Sequence, residues 1–519
     1  MASRPSALAA TFGVALSLLT GAALAAPATG RVKVDAGVVE GELRENLSIF
    51  RGIPFAAPPT HELRWRAPAP VRPWQGIRAA KSFGPACPQP KITIAGGSDE
   101  PQSEDCLYLN IWTPVSSPSP MPVMVWLHGG ALLVGSGSMP LYDGARLAAR
   151  GVIVVTFNYR LGRFGYFAHP ALTAEDPGGP LGNYGLMDQL AALRWVQRNI
   201  AAFGGDPKNV TVFGESAGAG SIQILMSMPE AAGLFSKAIS ESGGGNAIYP
   251  AIRGDATSAE ARGERWAEQA GLVNPTAPQL RSVPSSKLVS EVGLTGFMID
   301  GQLIKEPPGQ SFSERRQRPM PLLIGSTSYE ASLPILTDER TRKALGAANY
   351  AELFKAYRAK APDEETARSK MRTDLFVAGP ARFLARQQAS LGAAAYVFSF
   401  DYLPEVARKT LPGVPHMGEI PFVLGNFGTL EMLGEGEADR HVADLLADYW
   451  TSFARTGRPT SPNGAPWAPV DAGRARTMHF TVEGTEMREA DELDARVEYL
   501  AMHSPRATDP DLPANPPSN

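Results

Sequence analysis

Asn209-Val210-Thr211-Val212-Phe213-Gly214-Glu215-Ser216-Ala217-Gly218 decides how this 519-residue chain is read. Its first half is a β-branched apolar run, as expected of a strand buried on both faces. Its second half is a glycine-flanked serine that opens a helical pattern over Ala217 to Met228. At such a strand-to-helix turn the glycines relieve crowding around a strained, exposed serine. The helix start also aims unpaired backbone N–H groups, beginning with Ala217, at any oxygen that turns negative beside Ser216. The Gly and Ser content predicts about 0.3 accidental G-x-S-x-G matches, so the string takes its meaning from this setting.

Outward from that turn the pattern alternates short apolar runs with amphipathic ones. Pro122 to Leu127 and Val152 to Phe157 read as buried strands. Leu186, Leu190, Leu193, Val196 and Ile200 mark one helix face, and Gly204-Gly205 ends that helix. Lys237 to Ser240, Pro321 to Gly325 and Ala395 to Phe400 extend the sheet, and helices are expected over Tyr350 to Ala359, Ala381 to Ser390 and Arg440 to Ala454. Strand, helix and strand at this spacing predict an α/β fold with right-handed parallel crossovers.

Composition excludes other classes. With 49 Lys+Arg against 52 Asp+Glu, a net charge of -3 leaves no basic footprint for nucleic acid, and 44% apolar residues are too many for a disordered chain. Two cysteines cannot build a Cys-rich metal site, and neither a metal nor another cofactor is expected. Residues 1–25 read as a secretory signal: Arg4, an apolar stretch from Leu8 to Leu19, and Ala23-Leu24-Ala25 before a mature start near Ala26. An uncleaved anchor is the alternative. A secreted or periplasmic protein without a stable membrane span follows, with one domain over 26–503 and a disordered Pro-rich tail over 504–519. In an oxidising compartment a Cys87–Cys106 bridge would stabilise by about 3 kcal/mol on the chain-entropy model; two unrelated buried thiols are the other reading.

A serine hydroxyl needs a base to become nucleophilic, and the base needs an orienting group. Of 7 histidines, His416 stands in a loop-like stretch, Gly413 to Ile420, after the Ala395 strand. An acid between Ser216 and His416 at a strand end fits Glu330, after the Pro321 to Ser326 strand; Asp300 is the rival, although Asp300-Gly301 reads better as a tight turn. His128-Gly129-Gly130-Ala131 follows a buried strand, where small residues let backbone N–H groups approach a substrate oxygen.

Together these residues resemble the type-B carboxylesterase and cholinesterase-like branch of the α/β-hydrolases. The resemblance rests on Glu104 to Asn110, His128 to Ala131, Phe203 to Gly218 and Gly413 to Glu419, with support from Phe50 to Pro54 and Ser240 to Gly243. It implies an α/β-hydrolase fold with a large, mostly parallel sheet, Ser216 as nucleophile, Glu330 as acid and His416 as base. It further implies oxyanion donors at Gly130, Ala131 and Ala217, a bend at Gly129, supporting polar positions at Glu215, Ser242 and Glu419, and a disulfide between Cys87 and Cys106. The activity implied is hydrolysis of a small-molecule carboxylic ester through an acyl-enzyme, by a monomer or homodimer. A lipase, an amidase or a non-catalytic binding module on the same fold are the alternatives.

Departures bear on substrate. Ala131 and Leu132 stand where many relatives have a third glycine and an aromatic. The loop from Cys87 to Cys106 has no tryptophan to hold a quaternary ammonium, which argues against choline esters. The short spacing from Glu330 to His416 implies trimmed substrate-binding elements. Activity is expected to fall on the acid side around roughly pH 6.5, unless neighbours move the imidazole.

Overall fold

The computed structural model describes residues 30–91, 100–179, 181–290, 296–427, 436–471, 473 and 475–503. The expected signal over 1–25, the start near Ala26 and the tail over 504–519 lie outside them.

The strands in chain order are β1 (Arg31–Val34), β2 (Gly37–Glu40), β3 (Glu42–Arg44), β4 (Leu47–Pro54), β5 (Ile77–Ala79), β6 (Tyr108–Pro114) and β7 (Met121–Leu127). They continue with β8 (Ile153–Phe157), β9 (Gly205–Glu215), β10 (Lys237–Glu241), β11 (Leu322–Thr327), β12 (Ala395–Phe400), β13 (Arg476–Thr481) and β14 (Gly484–Glu489). β1, β2 and β5 form a small sheet, and the other 11 form one large sheet in the order β14-β13-β12-β11-β10-β9-β7-β8-β6-β4-β3. From β13 to β8 every neighbour is parallel, as the strand-helix-strand pattern requires. The two ends are antiparallel, through the β13–β14 hairpin and the β8–β6–β4–β3 run.

The period-2 alternation of a strand explains the two main cores. β7 sends Val123, Val125 and Leu127 into one core and Met124 and Trp126 into the other; β9 divides Val210 and Val212 from Phe213 in the same way. The first face is covered by the helices Tyr184–Asn199, Ala217–Ser227 and Gly379–Ser390, through residues such as Leu193, Ile222 and Leu384. The second is covered by the helix Glu437–Thr456 through Leu446, Trp450 and Phe453. Each such side chain, fully removed from water, contributes about 1.5–3 kcal/mol, so neither face can be left open. The expected stripe from Leu186 to Ile200 lies wholly in the first core, and Gly204 closes that segment in the left-handed conformation at φ 87°.

Some bounds differ from expectation. The helix expected over Tyr350 to Ala359 is the second part of Asp338–Arg358, which is broken by Gly346 at φ 74°. With the helices Glu364–Thr373 and Glu492–His503 it forms a third core around Leu353, Met371 and Val497.

Candidate active site

Ser216 links β9 to the helix Ala217–Ser227 at φ 53° and ψ -120°, a conformation that L side chains rarely adopt and that costs on the order of 1–3 kcal/mol. The surroundings enforce it. A Cβ on Gly214 or Gly218 would lie 2.4 Å or 2.0 Å from the Leu127 carbonyl oxygen, so only glycine lets β7 and the elbow approach this closely. The Ser216 N–H donates to the Glu241 carbonyl (2.9 Å), and the Ser216 carbonyl accepts from Gly220 N–H (2.9 Å). The residue is half-buried, with its hydroxyl at the C-terminal edge of the parallel strands.

Beside it, β7 runs into the loop His128 to Ser138. Gly130 sits at φ 98°, and a Cβ there would fall 2.2 Å from the Val134 carbonyl oxygen. Ala131 and Leu132 follow at φ 56° and 61°, two consecutive left-handed residues that are not glycine. The loop turns on Gly130 and not at Gly129, where the bend was expected: the Gly130 carbonyl accepts from Leu133 N–H (2.9 Å) and Val134 N–H (3.0 Å), and Gly129 instead packs where a Cβ would stand 2.6 Å from Glu215 Oε2. His128 braces it from behind. Its carbonyl accepts from the Tyr159 hydroxyl (2.7 Å), its ring stacks on Tyr159 at 4.2 Å, and Nδ1 lies 2.9 Å from the Gly129 carbonyl. Burial lowers the His128 pKa to about 4, so the ring is neutral, and that carbonyl makes Nδ1 the protonated nitrogen.

Glu330 opens a short 3-10 turn directly after β11. Its Oε1 accepts from Ser242 Oγ (2.6 Å), Thr327 N–H (2.8 Å) and Thr327 Oγ1 (3.0 Å), which leaves Oε2 free to face His416 Nδ1 at 2.5 Å. The His416 loop is laid along the Glu330 loop: Tyr329 N–H donates to the Val414 carbonyl (2.9 Å), and His416 N–H donates to Ser332 Oγ (2.9 Å). Side-chain exposure is 8% for His416 and 0% for Glu330. Burial works against the charged form of both, yet each supplies the other's counter-charge. Glu330, helped by Ser242 and Thr327, is held below the ordinary carboxylate range.

The ring's other nitrogen, Nε2, has a carboxylate neighbour that sequence reasoning placed only in support: Glu215 Oε1 lies 3.0 Å away. The approach is off the hydrogen-bond axis, and both Glu215 oxygens lack a hydrogen-bond donor, so the contact is a charge contact rather than an aligned bond. No hydrogen bond joins the Ser216 hydroxyl to the ring among the described residues. Burial is the largest influence on His416 and opposes its charging, but Glu215 and Glu330 together outweigh it and raise the pKa well above 6.5. The expectation of an acid limb near 6.5 is therefore displaced upward.

Glu215 belongs to a larger group. Glu241 pairs with it in the β9–β10 register and accepts from Trp450 Nε1 (2.9 Å), and Glu419 lies fully buried on the chain just past His416. Burial pushes Glu241 up to about 8 and Glu419 well above the carboxylate range, with the neighbouring glutamates adding to both. The imidazole faces Glu215 and Glu330, Glu241 and Glu419 act on those carboxyls in turn, and these buried groups cannot all ionise. Glu241 was legible only as part of Ser240 to Gly243; the parallel register that sets it beside Glu215 was the missing signal.

The remaining candidates are separated from this group. Asp300 accepts from the N–H groups of Gln302 (3.0 Å) and Ile304 (2.9 Å) and from Asn183 Nδ2 (3.2 Å), which is turn chemistry. His479 Nδ1 meets Asp401 Oδ2 at 2.6 Å, but the adjacent Ser399 hydroxyl donates to that same aspartate and not to the ring. Cys87 and Cys106 are joined in a disulfide. Among the described residues no cluster of His, Cys, Asp or Glu could hold a metal ion, and no helix is long and apolar enough to cross a membrane.

A strained serine at a strand-to-helix turn, a Gly-Gly loop beside it and a buried glutamate–histidine pair are the parts needed for acyl transfer. The chain is similar to known proteins over most of its length. A family model described as "Carboxylesterase family" matches residues 28–497. The chain is 36% identical over 469 residues to the fumonisin B1 esterase of Sphingopyxis macrogoltabida, covering 86% of this chain and 85% of the relative. It is 37% identical over 450 residues to the para-nitrobenzyl esterase of Bacillus subtilis (strain 168), covering 82% and 89%. A solved carboxylesterase of Geobacillus stearothermophilus superposes with a TM-score of 0.79 at 34% identity, covering 91% of this chain and 99% of that one.

Proposed function

The chain belongs to the carboxylesterase family and is a carboxylic ester hydrolase, and from that premise we propose that it works through an acyl-enzyme on Ser216. His416 is the base that takes the Ser216 proton as the hydroxyl attacks the ester carbonyl, and Glu330 fixes the ring tautomer and offsets its developing charge. The N–H groups of Gly130, Ala131 and Ala217 receive the oxyanion. The alcohol leaves with the proton from His416; water, deprotonated by the same ring, then releases the acid.

The observation that carries this reading is the 2.5 Å contact between Glu330 and His416 Nδ1, which turns Nε2 toward the segment holding Ser216. Nε2 faces Glu215, the residue directly before the serine, and catalytic hydrogen bonds that are unaligned in a free enzyme tighten when substrate binds. The mature enzyme is proposed to be secreted or periplasmic; the leader-like residues 1–25 and the disulfide support that location. Substrates are small carboxylic esters. The names of the relatives point to para-nitrobenzyl esters as first probes, and the absence of tryptophan between Cys87 and Cys106 speaks against choline esters.

Fluorophosphonate labelling followed by peptide mapping tests the proposal. The label is expected on Ser216, with Ser216→Ala folded, unlabelled and inactive. A label elsewhere, or undiminished turnover in Ser216→Ala, overturns it. A panel of esters, amides and emulsified triglycerides separates an esterase from an amidase or lipase on the same residues.

A further inference from the structure

The segment Gly135 to Ser138, which continues the proposed oxyanion loop, is held from outside by the loop that the disulfide closes. Gln89, 3% exposed, engages both backbone groups of Gly135: its Nε2 donates to the Gly135 carbonyl (2.9 Å), and its Oε1 accepts from the Gly135 N–H (2.8 Å). The same Nε2 donates to the Cys87 carbonyl (3.1 Å), and the Gln89 N–H donates to Gln102 Oε1 (3.0 Å), across the neck of the loop. Asn158 repeats the arrangement two residues on. Its Oδ1 accepts from the Gly137 N–H (2.7 Å), and its Nδ2 donates to the carbonyls of Pro85 (3.0 Å) and Cys106 (3.1 Å). Glu100 accepts from the hydroxyls of Ser136 (3.1 Å) and Ser138 (2.5 Å).

Gly135 in turn lies against the peptide that matters for the reaction. A Cβ on it would stand 2.6 Å from His128 Nδ1 and 3.0 Å from the Gly129 carbonyl oxygen. That carbonyl and the Gly130 N–H belong to one planar peptide, so whatever fixes the carbonyl also fixes the direction of the N–H.

We propose that the disulfide-joined ends of this loop, Pro85 to Gln89 and Glu100 to Cys106, are a brace for the oxyanion loop, with Gln89 the positioning residue that carries their restraint through Gly135 to the Gly129–Gly130 peptide. The proposal rests on the acyl-transfer reading above and deepens it. The oxyanion develops only after substrate has bound, in the transition states and the tetrahedral intermediate, so a loosened brace lowers kcat and leaves ground-state binding in place. Misplacing a catalytic group by about 1 Å costs on the order of a hundredfold, and loss of one donor on the order of a hundred- to a thousandfold, so partial loosening is expected to cost on the order of tenfold.

The test uses the full-length enzyme with a para-nitrophenyl ester and a trifluoromethyl ketone as oxyanion mimic. Gln89→Met keeps length and apolar bulk while removing the donor and the acceptor. It is expected to lower kcat and ketone affinity by the same factor, on the order of tenfold, with KM unchanged. Exchange of both cysteines for serine should do likewise, and its combination with Gln89→Met should lose little more, because both act by one route. Gln89→Asn, which keeps a neutral amide but shortens its reach to the two Gly135 backbone groups, is the milder variant should Gln89→Met fail to fold. The brace is overturned if these variants lower only the melting temperature, if KM rises while kcat stays, or if the two losses simply multiply. Fluorophosphonate labelling keeps the two readings apart: an unlabelled wild type sinks the acyl-enzyme, whereas a labelled wild type whose braced and unbraced forms turn over alike sinks the brace alone.

Discussion

Replacing Glu215 with glutamine removes a charge from beside His416 Nε2 while keeping the size of the side chain, and its effect can be worked from the geometry. Two unit charges at the observed 3.0 Å interact by about 5 kcal/mol at an effective dielectric of about 20. Off-axis geometry and relaxation of the surrounding polar groups reduce what is realised. One pKa unit corresponds to about 1.36 kcal/mol, so what is realised is large enough to read as a displaced midpoint. The direction is fixed by the sign of the charge. Glu215 and Glu330 raise the His416 pKa well above 6.5 against the opposing effect of burial, so in the wild type the inactive imidazolium persists to higher pH. Without the Glu215 charge the ring gives up its proton at lower pH. The assay is kcat/KM for a para-nitrophenyl ester from about pH 5 to about pH 9, which reports the free enzyme. The wild-type acid limb is expected above 6.5, and that of Glu215→Gln lower, whatever happens to the plateau. Coincident midpoints, or a shift upward, would refute the account of the carboxylates around the ring.

Three further outcomes follow from the same geometry. Gly130→Ala places a Cβ 2.2 Å from the Val134 carbonyl oxygen at φ 98°, so the loop must move; kcat should fall on the order of a hundred- to a thousandfold, while circular dichroism stays native. Ser242→Ala removes a 2.6 Å charge-assisted bond to Glu330 but leaves the two Thr327 bonds, so steady-state kinetics should show a loss on the order of tenfold rather than inactivation. Glu241 is raised from 4.5 to about 8 by burial, with the Glu215 charge adding and Trp450 opposing. A raised folded-state pKa means that stability is lost as pH climbs from the unfolded value to the folded one. Glu241→Gln should therefore gain melting temperature over the wild type, by an amount that grows between about pH 4.5 and about pH 8; a pH-independent difference in calorimetry would contradict a protonated Glu241.

The parts of the fold that the sequence announced are those whose residues answer to one dominant force. β8 and the Val210–Phe213 part of β9 are β-branched apolar runs because both faces are buried, and the stripe from Leu186 to Ile200 repeats every three or four residues because one helix face meets the sheet. β1 and β5, at 4 and 3 residues with alternate positions exposed, carry too little apolar signal to separate from loops, and the helix from Asp338 was hidden by its break at Gly346. The site divides in the same way. Ser216, Glu330 and His416 were legible because chemistry dictates residue type and chain order, and because each follows a recognisable strand. Gln89 was not, since an ordinary glutamine gains meaning only when the chain 46 residues later returns to offer it both backbone groups of Gly135. Glu241 has no role legible in the Ser240 to Gly243 stretch, because its importance lies in the strand register that sets it against Glu215. Local rules thus point to the groups proposed to react, and pairing over long separations decides the groups that hold them. The properties most sensitive to that second set, the acidity of His416 and the aim of the Gly130 N–H, are therefore the ones where this chain can differ from relatives of about one-third identity that share its motifs.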